Sequence, residues 1–281
     1  MEKKTFVKKY SPQEAVVALQ GDQKGALAAA RYVRTKFDLT EQKFVLEKLT
    51  QDTPHVKFYL TGICFASAWN EVWMRSNTAS ISSAQKSLDW FALVIKRHAL
   101  KLQSHISLRN RLSQASLQGD WTEARNIIDE HHKTFGPTLW ALNWSIVAIE
   151  ETYGAKKKNA FIGEFEQEKN GQVVVVLARL FGFSSDQALP DEFFTKIITN
   201  HLPTSGARRH FLELLFFDTC STNWSVSGIL EVLDYTTIID RYELFLRMVC
   251  NGLSEFHPDA LRLKRAIFVA GGLGGRHADT G

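Results

Sequence analysis

The chain has 281 residues, of which 44% are hydrophobic and 23% are charged, and its formal net charge at pH 7 is +4. These values are typical of a globular protein with a sizeable core. They exclude a globally disordered chain and a strongly basic nucleic-acid-binding domain.

Neither a disulfide framework, a secretory leader nor a membrane span is predicted. The three cysteines, Cys64, Cys220 and Cys250, are far apart and show no zinc-ligand spacing. The charged N-terminus is not followed by an apolar core. The most apolar run, 173–183, is about half as long as the ~20 residues that a membrane helix needs. We therefore expect a cytoplasmic protein.

Apolar residues recur at spacings of three and four, which is the pattern of helices with one buried face. No sustained alternation of apolar and polar residues occurs, so an all-α fold is predicted. The strand-like run 173–177 continues into Ala178, Leu180 and Phe181, which favours a buried helix. The predicted helices cover residues 12–20, 22–37, 40–51, 54–75, 80–102, 104–118, 121–135, 138–153, 156–169, 171–182, 190–201, 205–219, 225–234, 236–251 and 258–270.

Local signals support several of these boundaries. Asp22 and Asp120 precede predicted helices as N-caps, and Glu123 is placed to complete a capping box with Asp120. Gly136 and Gly154 suit helix ends. The helices 54–75 and 138–153 are apolar on more than one face, so both are predicted to be covered on two sides.

Short helices with short connections predict an irregular stack of antiparallel helix pairs, either α-solenoid-like or a multi-helix bundle. The segment Gly21-Asp22-x-x-x-Ala26 recurs as Gly119-Asp120-x-x-x-Ala124. This motif resembles the turn of tetratricopeptide-like helical repeats, in which glycine ends one helix, aspartate caps the next and alanine permits close helix contact. The resemblance implies an α-solenoid-like arrangement.

A change of composition near 184–190 suggests how the chain is organised. Residues 1–184 form a predicted N-terminal helical region and residues 190–270 a C-terminal one, unless both belong to one continuous domain. The glycine-rich residues 271–281 are predicted to form a flexible tail. Such a tail would also fit a domain of a larger protein.

One segment, Arg125-Asn126-Ile127-Ile128-Asp129-Glu130-His131-His132, is similar to the Arg-(four to six residues)-His motif of HEPN ribonucleases. The resemblance implies that Arg125 would hold the scissile phosphate of RNA and that a histidine would act as acid or base. On a helix, His132 nearly eclipses Arg125, whereas His131 lies in the apolar stripe and is expected to be a core histidine. Arg125 and Asp129 are spaced as an i,i+4 pair.

Other candidate contacts are few. Lys156, Lys157 and Lys158 open a predicted helix and are the candidate contacts for nucleic-acid phosphates. Trp121 lies off the apolar stripe of its helix and is a candidate anchor for a partner, or it packs against the preceding helix. The carboxylates of Glu164, Glu166 and Glu168 are interpreted as a solvated face. No metal-ligand spacing or phosphate-binding loop occurs, so neither metal nor cofactor is predicted.

The preferred hypothesis is a helical scaffold or recognition module that binds a protein or peptide partner. Its basis is the stacked short-helix pattern together with the lack of a complete catalytic motif. The alternative is a HEPN-like ribonuclease that uses Arg125 with His132 or His131. The sequence leaves enzymatic activity open, and it favours a protein partner over nucleic acid.

Overall fold

The computed structural model describes residues 9–49, 56, 60–61, 64–72, 84–167, 172–184 and 236–248. This part of the chain is 84% helical, with ten α-helices and no strand, which confirms the all-α prediction. The predicted helices 190–201, 205–219, 225–234 and 258–270 and the tail 271–281 lie outside it. The helices are α1 Pro12–Gln20, α2 Gln23–Lys36, α3 Leu39–Lys48, α4 Ala84–Arg97, α5 Ala99–Leu117, α6 Trp121–Phe135, α7 Leu139–Tyr153, α8 Ala155–Gln167, α9 Gln172–Ser184 and α10 Ile238–Met248.

The predicted N-caps are present, but the predicted capping box is only half formed. The side chain of Asp22 accepts from the third amide of α2, and that of Asp120 accepts from Glu123 N at 3.0 Å. The Asp120 amide donates to the Ala115 carbonyl oxygen instead of to Glu123. The Glu123 carboxylate accepts from Arg111 Nη2 at 3.0 Å, so an interhelical ion pair replaces the second half of the box.

The prediction of one helix over 54–75 is wrong over the described residues 64–72, whereas Val56 and Leu60, also described, are π-helical. Residues 64–68 are not helical, and a single 3-10 turn spans Trp69–Glu71. The Ser67 amide and hydroxyl both donate to the Glu71 carboxylate at 2.7 Å, which closes this turn locally. The ring of Phe65 stacks on Phe135 at 6.4 Å. Tertiary contacts therefore override the apolar pattern that predicted a helix.

The prediction of a helix over 80–102 also needs correction, because the chain bends at His98 and not near residue 103. His98 has φ −102° and ψ 16°, and α5 begins directly after it. No glycine or proline marks the bend. The Phe65 ring meets the His98 ring edge-on at 5.4 Å. Arg97, at the end of α4, donates to the carbonyl oxygens of Leu46 and Leu49 at 3.2 and 2.9 Å, so it satisfies the last turn of α3.

From α1 to α9, each helix packs against the next, and α7 is the most central of the described helices. It contacts α6, α8, α9 and α10. Its buried residues occur on more than one face, as predicted for 138–153, and include Leu139, Leu142, Ile146 and Ala148.

The strand-like run is helical, as the sequence favoured. It forms α9, in which Val174, Leu177, Leu180 and Phe181 are buried. A Cβ atom at Gly182 would overlap the end of the Ile162 side chain, so this glycine lets α8 and α9 approach closely. Of the helices in the described ranges, none combines the length and the hydropathy that a membrane crossing requires.

Helix α10 satisfies the first turn of α7 from a distant point in the sequence. The Asp240 carboxylate accepts from Leu139 N at 3.1 Å, from Trp140 N at 3.0 Å and from the Thr237 hydroxyl at 2.8 Å. Burial raises the pKa of Asp240 to about 6, against the opposing effect of these hydrogen bonds. Within the described residues, α10 is the part of the predicted region 190–270 that packs into the core shared with the N-terminal helices.

Candidate functional site

An open cleft lies where α6, α7 and α8 meet the 3-10 turn. Its volume is about 270 Å³. Ile128 from α6 and Ser145 from α7 line its inner part, and the Ser145 hydroxyl is already bonded to the Ala141 carbonyl oxygen at 2.8 Å. The remaining described lining residues are aromatic or acidic, apart from one histidine.

Aromatic rings form the walls and floor of this cleft. The rings of Trp69 and Phe165 stand nearly at right angles, with an interplanar angle of 76° and a centroid separation of 5.2 Å. Phe161, one helical turn before Phe165, is half-buried and lies 6.2 Å from it. Because Phe165 is only 5% exposed, it forms the floor, whereas Trp69 and Phe161 remain partly open to solvent.

Two carboxylates line the same cleft. Asp129 comes from α6 and Glu164 from α8, and both residues are exposed. Neither carboxylate has a hydrogen bond or ion pair to another side chain in the described part of the chain, although the neighbouring Glu166 is bound by Arg179 at Oε2 with a distance of 2.7 Å. Arginine and lysine are absent from the described lining residues. The described lining therefore carries uncompensated negative charge.

His132 completes the described lining. Its ring lies 5.4 Å from the Trp69 ring at an angle of 36°. Partial burial lowers the pKa of His132, and the nearby Asp129 carboxylate opposes that shift. The lowered pKa disfavours the charged imidazole, so His132 offsets the two carboxylates less than an ordinary histidine would.

The three residues of the ribonuclease-like motif lie in different environments. Arg125 is exposed and binds Tyr153 on α7, through a hydrogen bond to the hydroxyl and a position 5.1 Å from the ring centroid. The expected Arg125–Asp129 pair is replaced by this contact. His132 lines the cleft, whereas His131 is fully buried, as its place in the apolar stripe predicted.

His131 belongs to a buried polar chain that the sequence did not predict. Its Nε2 lies 3.2 Å from His105 Nδ1, and His105 Nε2 lies 2.8 Å from Glu243 Oε1 on α10. Arg109 Nε lies 3.2 Å from the same carboxylate oxygen. Burial, and then the proximity of His105 and His132, lower the pKa of His131 to about 3. Its Nδ1 has no hydrogen-bond partner in the described structure.

The other candidate contacts are divided by burial. Trp121 is half-buried against the core, which fits packing better than service as a free anchor. Lys156 and Lys157 are exposed. Lys158 departs from the expected phosphate contact because it is 1% exposed and donates to Glu150 Oε1 at 2.8 Å and to the Gly182 carbonyl oxygen at 3.0 Å. It joins α7, α8 and α9.

Most of the cleft was missed by the sequence analysis. Phe161 and Phe165 have the i,i+4 spacing of ordinary core residues, and Glu164 lies in a run interpreted as a solvated face. Trp69 was assigned to a helix that does not form there. The only signal available in advance was that His132 and Asp129 lie on the polar side of α6, beside its apolar stripe.

Metal-ligand geometry and known proteins supply no further information about this site. Among the described residues, no three histidine, cysteine or acidic side chains are arranged to hold a metal ion. Comparison of the chain with protein-family models, with curated proteins and with solved structures gives no match.

Proposed function

We propose that this protein is a helical recognition module that binds a protein or peptide partner in the cleft between α6, α7 and α8. The observation that carries the proposal is the cleft itself, an open space of about 270 Å³ with aromatic walls. Apolar surface gathered in one place often marks an interaction site, and aromatic residues are enriched at the centres of protein interfaces.

The position of the cleft on the scaffold supports this role. Apart from Trp69 on the 3-10 turn, its lining comes from α6, α7 and α8, which pack consecutively and are joined by short connections at Gly136 and Gly154. The floor residues Ile128 and Phe165 belong to the hydrophobic core. A binding surface built on packed helices needs little ordering when a partner arrives, which lowers the entropic cost of association.

The ribonuclease alternative retains one supporting observation, namely that Arg125 and His132 lie on the same side of α6. The lowered pKa of His132 favours the neutral imidazole, which is the form that acts as a general base. However, Asp129 and Glu164 repel a phosphate group, and the pKa of about 3 prevents His131 from acting as an acid near neutrality. The geometry therefore favours recognition over RNA cleavage. Labelled RNA incubated with wild type and Arg125→Ala tests the alternative, which requires cleavage that the variant loses.

Selection of random peptides displayed on phage tests the recognition module. We expect the wild-type protein to enrich peptides with a shared pattern and Phe161→Ala to lose them, because this change removes one wall of the cleft. Tyr153→Ala is the matched control, since Tyr153 is a 53% exposed aromatic residue that does not line the cleft. Circular dichroism would verify that both variants are folded. Failure to enrich any peptide, or equal enrichment by wild type and Phe161→Ala, would contradict the proposal.

A further inference from the structure

We infer that the cleft between α6, α7 and α8 binds the ammonium head of a mono- or dimethylated lysine in its partner. This inference rests on the proposed recognition function and adds the chemical class of the group recognised. Three features of the cleft support it: the arrangement of its rings, its two carboxylates, which bind no other described side chain, and its size.

The rings form a corner that suits a compact cation. The rings of Trp69 and Phe165 are in edge-to-face contact, with centroids 5.2 Å apart and planes at 76°, so a rounded group fits beside their contact, in the angle that the two rings make, and not between them. Cations are attracted to the faces of aromatic rings, and the attraction is strongest for tryptophan. A flat guanidinium group stacks best on one ring or between parallel rings, so the perpendicular pair favours an alkylammonium group over arginine.

The carboxylates supply the second part of the argument. Asp129 and Glu164 carry negative charge into a cleft whose described lining has no arginine or lysine, and neither is bonded to another described side chain. A carboxylate binds an ammonium group most strongly when an N–H bond remains to donate to it. Methyl groups make the cation easier to remove from water and increase its contact with the rings. An ammonium group with one or two methyl groups can therefore contact the rings and also donate an N–H bond to a carboxylate. A trimethylated ammonium group has no N–H bond to donate.

The size of the cleft suits a single side chain. Its volume of about 270 Å³ is below the range of roughly 300–1,000 Å³ that is typical of pockets for whole small-molecule ligands. A side chain that extends from a peptide lying across the surface requires no deeper cavity. The cleft is also open to solvent at Trp69 and Phe161, which gives an extended side chain a way in.

Fluorescence anisotropy with labelled peptide pools tests the inference. Each pool has random flanking residues and one fixed central residue, which is lysine, monomethyllysine, dimethyllysine, trimethyllysine or arginine. We expect the monomethyl or dimethyl pool to bind about five-fold more tightly than the lysine pool, as one cation–π contact of about 1 kcal/mol implies. The trimethyl and arginine pools should bind more weakly than the dimethyl pool.

Variants connect this preference to the cleft. Phe161→Leu retains apolar volume but removes a ring, and it should weaken binding of the dimethyl pool about five-fold. Glu164→Gln should weaken binding of the dimethyl pool more than that of the trimethyl pool, because only the former donates to the carboxylate. Glu151→Gln makes the same change of charge at an exposed residue of α7 that does not line the cleft, and it should leave all affinities unchanged.

The outcomes separate this inference from the function on which it rests. Strongest binding of the lysine, trimethyl or arginine pool would overturn the methyllysine assignment, as would equal binding of all pools. If phage-selected peptides still depend on Phe161 in that case, the recognition module stands and only the ligand class is wrong. If no selected peptide and no pool depends on Phe161, both proposals fail.

Discussion

Acidification is expected to destabilise this protein through the buried imidazole of His131. The pKa of His131 is lowered from 6.5 to about 3, first by burial and then by His105 and His132. Between these values only the unfolded chain binds the proton. The contribution of the neutral His131 to the free energy of unfolding is therefore complete above pH 6.5 and is lost as the pH falls toward 3. At about 1.36 kcal/mol per pH unit, the free energy of unfolding loses ~2 kcal/mol from this residue by about pH 5.

Urea denaturation at several pH values, followed by circular dichroism, measures this effect. The variant His131→Gln places an amide group near the position of the ring Nε2, so either its N–H or its carbonyl oxygen can bond to His105 Nδ1, but it has no titrating group. We expect wild type to be the more stable protein near neutral pH, and its advantage over His131→Gln to shrink by ~2 kcal/mol between about pH 7.5 and about pH 5. Other titrating residues are shared by both proteins and largely cancel in the difference. An advantage that stays constant over this range would refute the assignment.

Three further changes are expected to alter the free energy of unfolding in urea. Asp240→Asn should gain stability relative to wild type as the pH rises from 3.8 through about 6. The raised pKa of Asp240 stabilises the wild-type fold fully only below pH 3.8, and that contribution is lost above about pH 6. The maximum change in the stability difference is ~3 kcal/mol, and a difference that does not depend on pH would contradict the prediction. Gly154→Ala should cost ~1–3 kcal/mol, because its φ of 82° and ψ of 171° lie in a region that only glycine adopts readily, although the space around it is open. Gly136→Ala has the same backbone cost, with φ 75° and ψ −168°, and should cost more because its new Cβ would also overlap the main-chain oxygen of Ala66; equal costs would refute this reasoning. Lys158→Met should cost ~2 kcal/mol, because it leaves the Glu150 carboxylate unpaired. The control Lys157→Met, on the exposed face, should change the free energy of unfolding by less than ~0.5 kcal/mol. Similar values for both variants would show that the buried ion pair contributes nothing.

The elements that sequence predicted well are those with both periodic apolar residues and local end signals. Helix α6 has an aspartate cap and a terminal glycine, and the structure begins and ends it within the predicted 121–135. Helix α7 likewise begins after Thr138 and ends before Gly154. The signals for these helices lie within the segments themselves, so no knowledge of distant residues is needed to find them.

Prediction failed where distant contacts decide the local backbone. The residues next to His98 in sequence do not explain why α4 stops there. The His98 ring instead packs against the ring of Phe65, which is distant in sequence. The segment 64–72 has the apolar content of a buried helix, but it follows the surface of other helices as an irregular segment with one 3-10 turn. Composition specifies that such residues are buried without specifying the backbone conformation that buries them.

The candidate site was predicted least well, for a related reason. His132 and Asp129 could be placed on one side of α6 from spacing alone. Their meeting with Glu164 and with Trp69 depends on how α8 and the irregular segment pack against α6. The buried polar chain joins residues that are even further apart in sequence, since His105 and Glu243 are separated by 138 residues. Pairings of this kind leave no periodic pattern.

The carboxylate that α10 supplies to α7 also orders the assembly of the protein in time. Asp240 lies 101 residues after Leu139, so the first turn of α7 emerges from the ribosome long before its acceptor does. At roughly 5–20 residues per second, this delay is about 5–20 s. Throughout that interval two main-chain N–H groups at the start of α7 must be satisfied by water. The helix that contributes Ser145 to the cleft therefore reaches its final bonded state only after residue 240 has been synthesised.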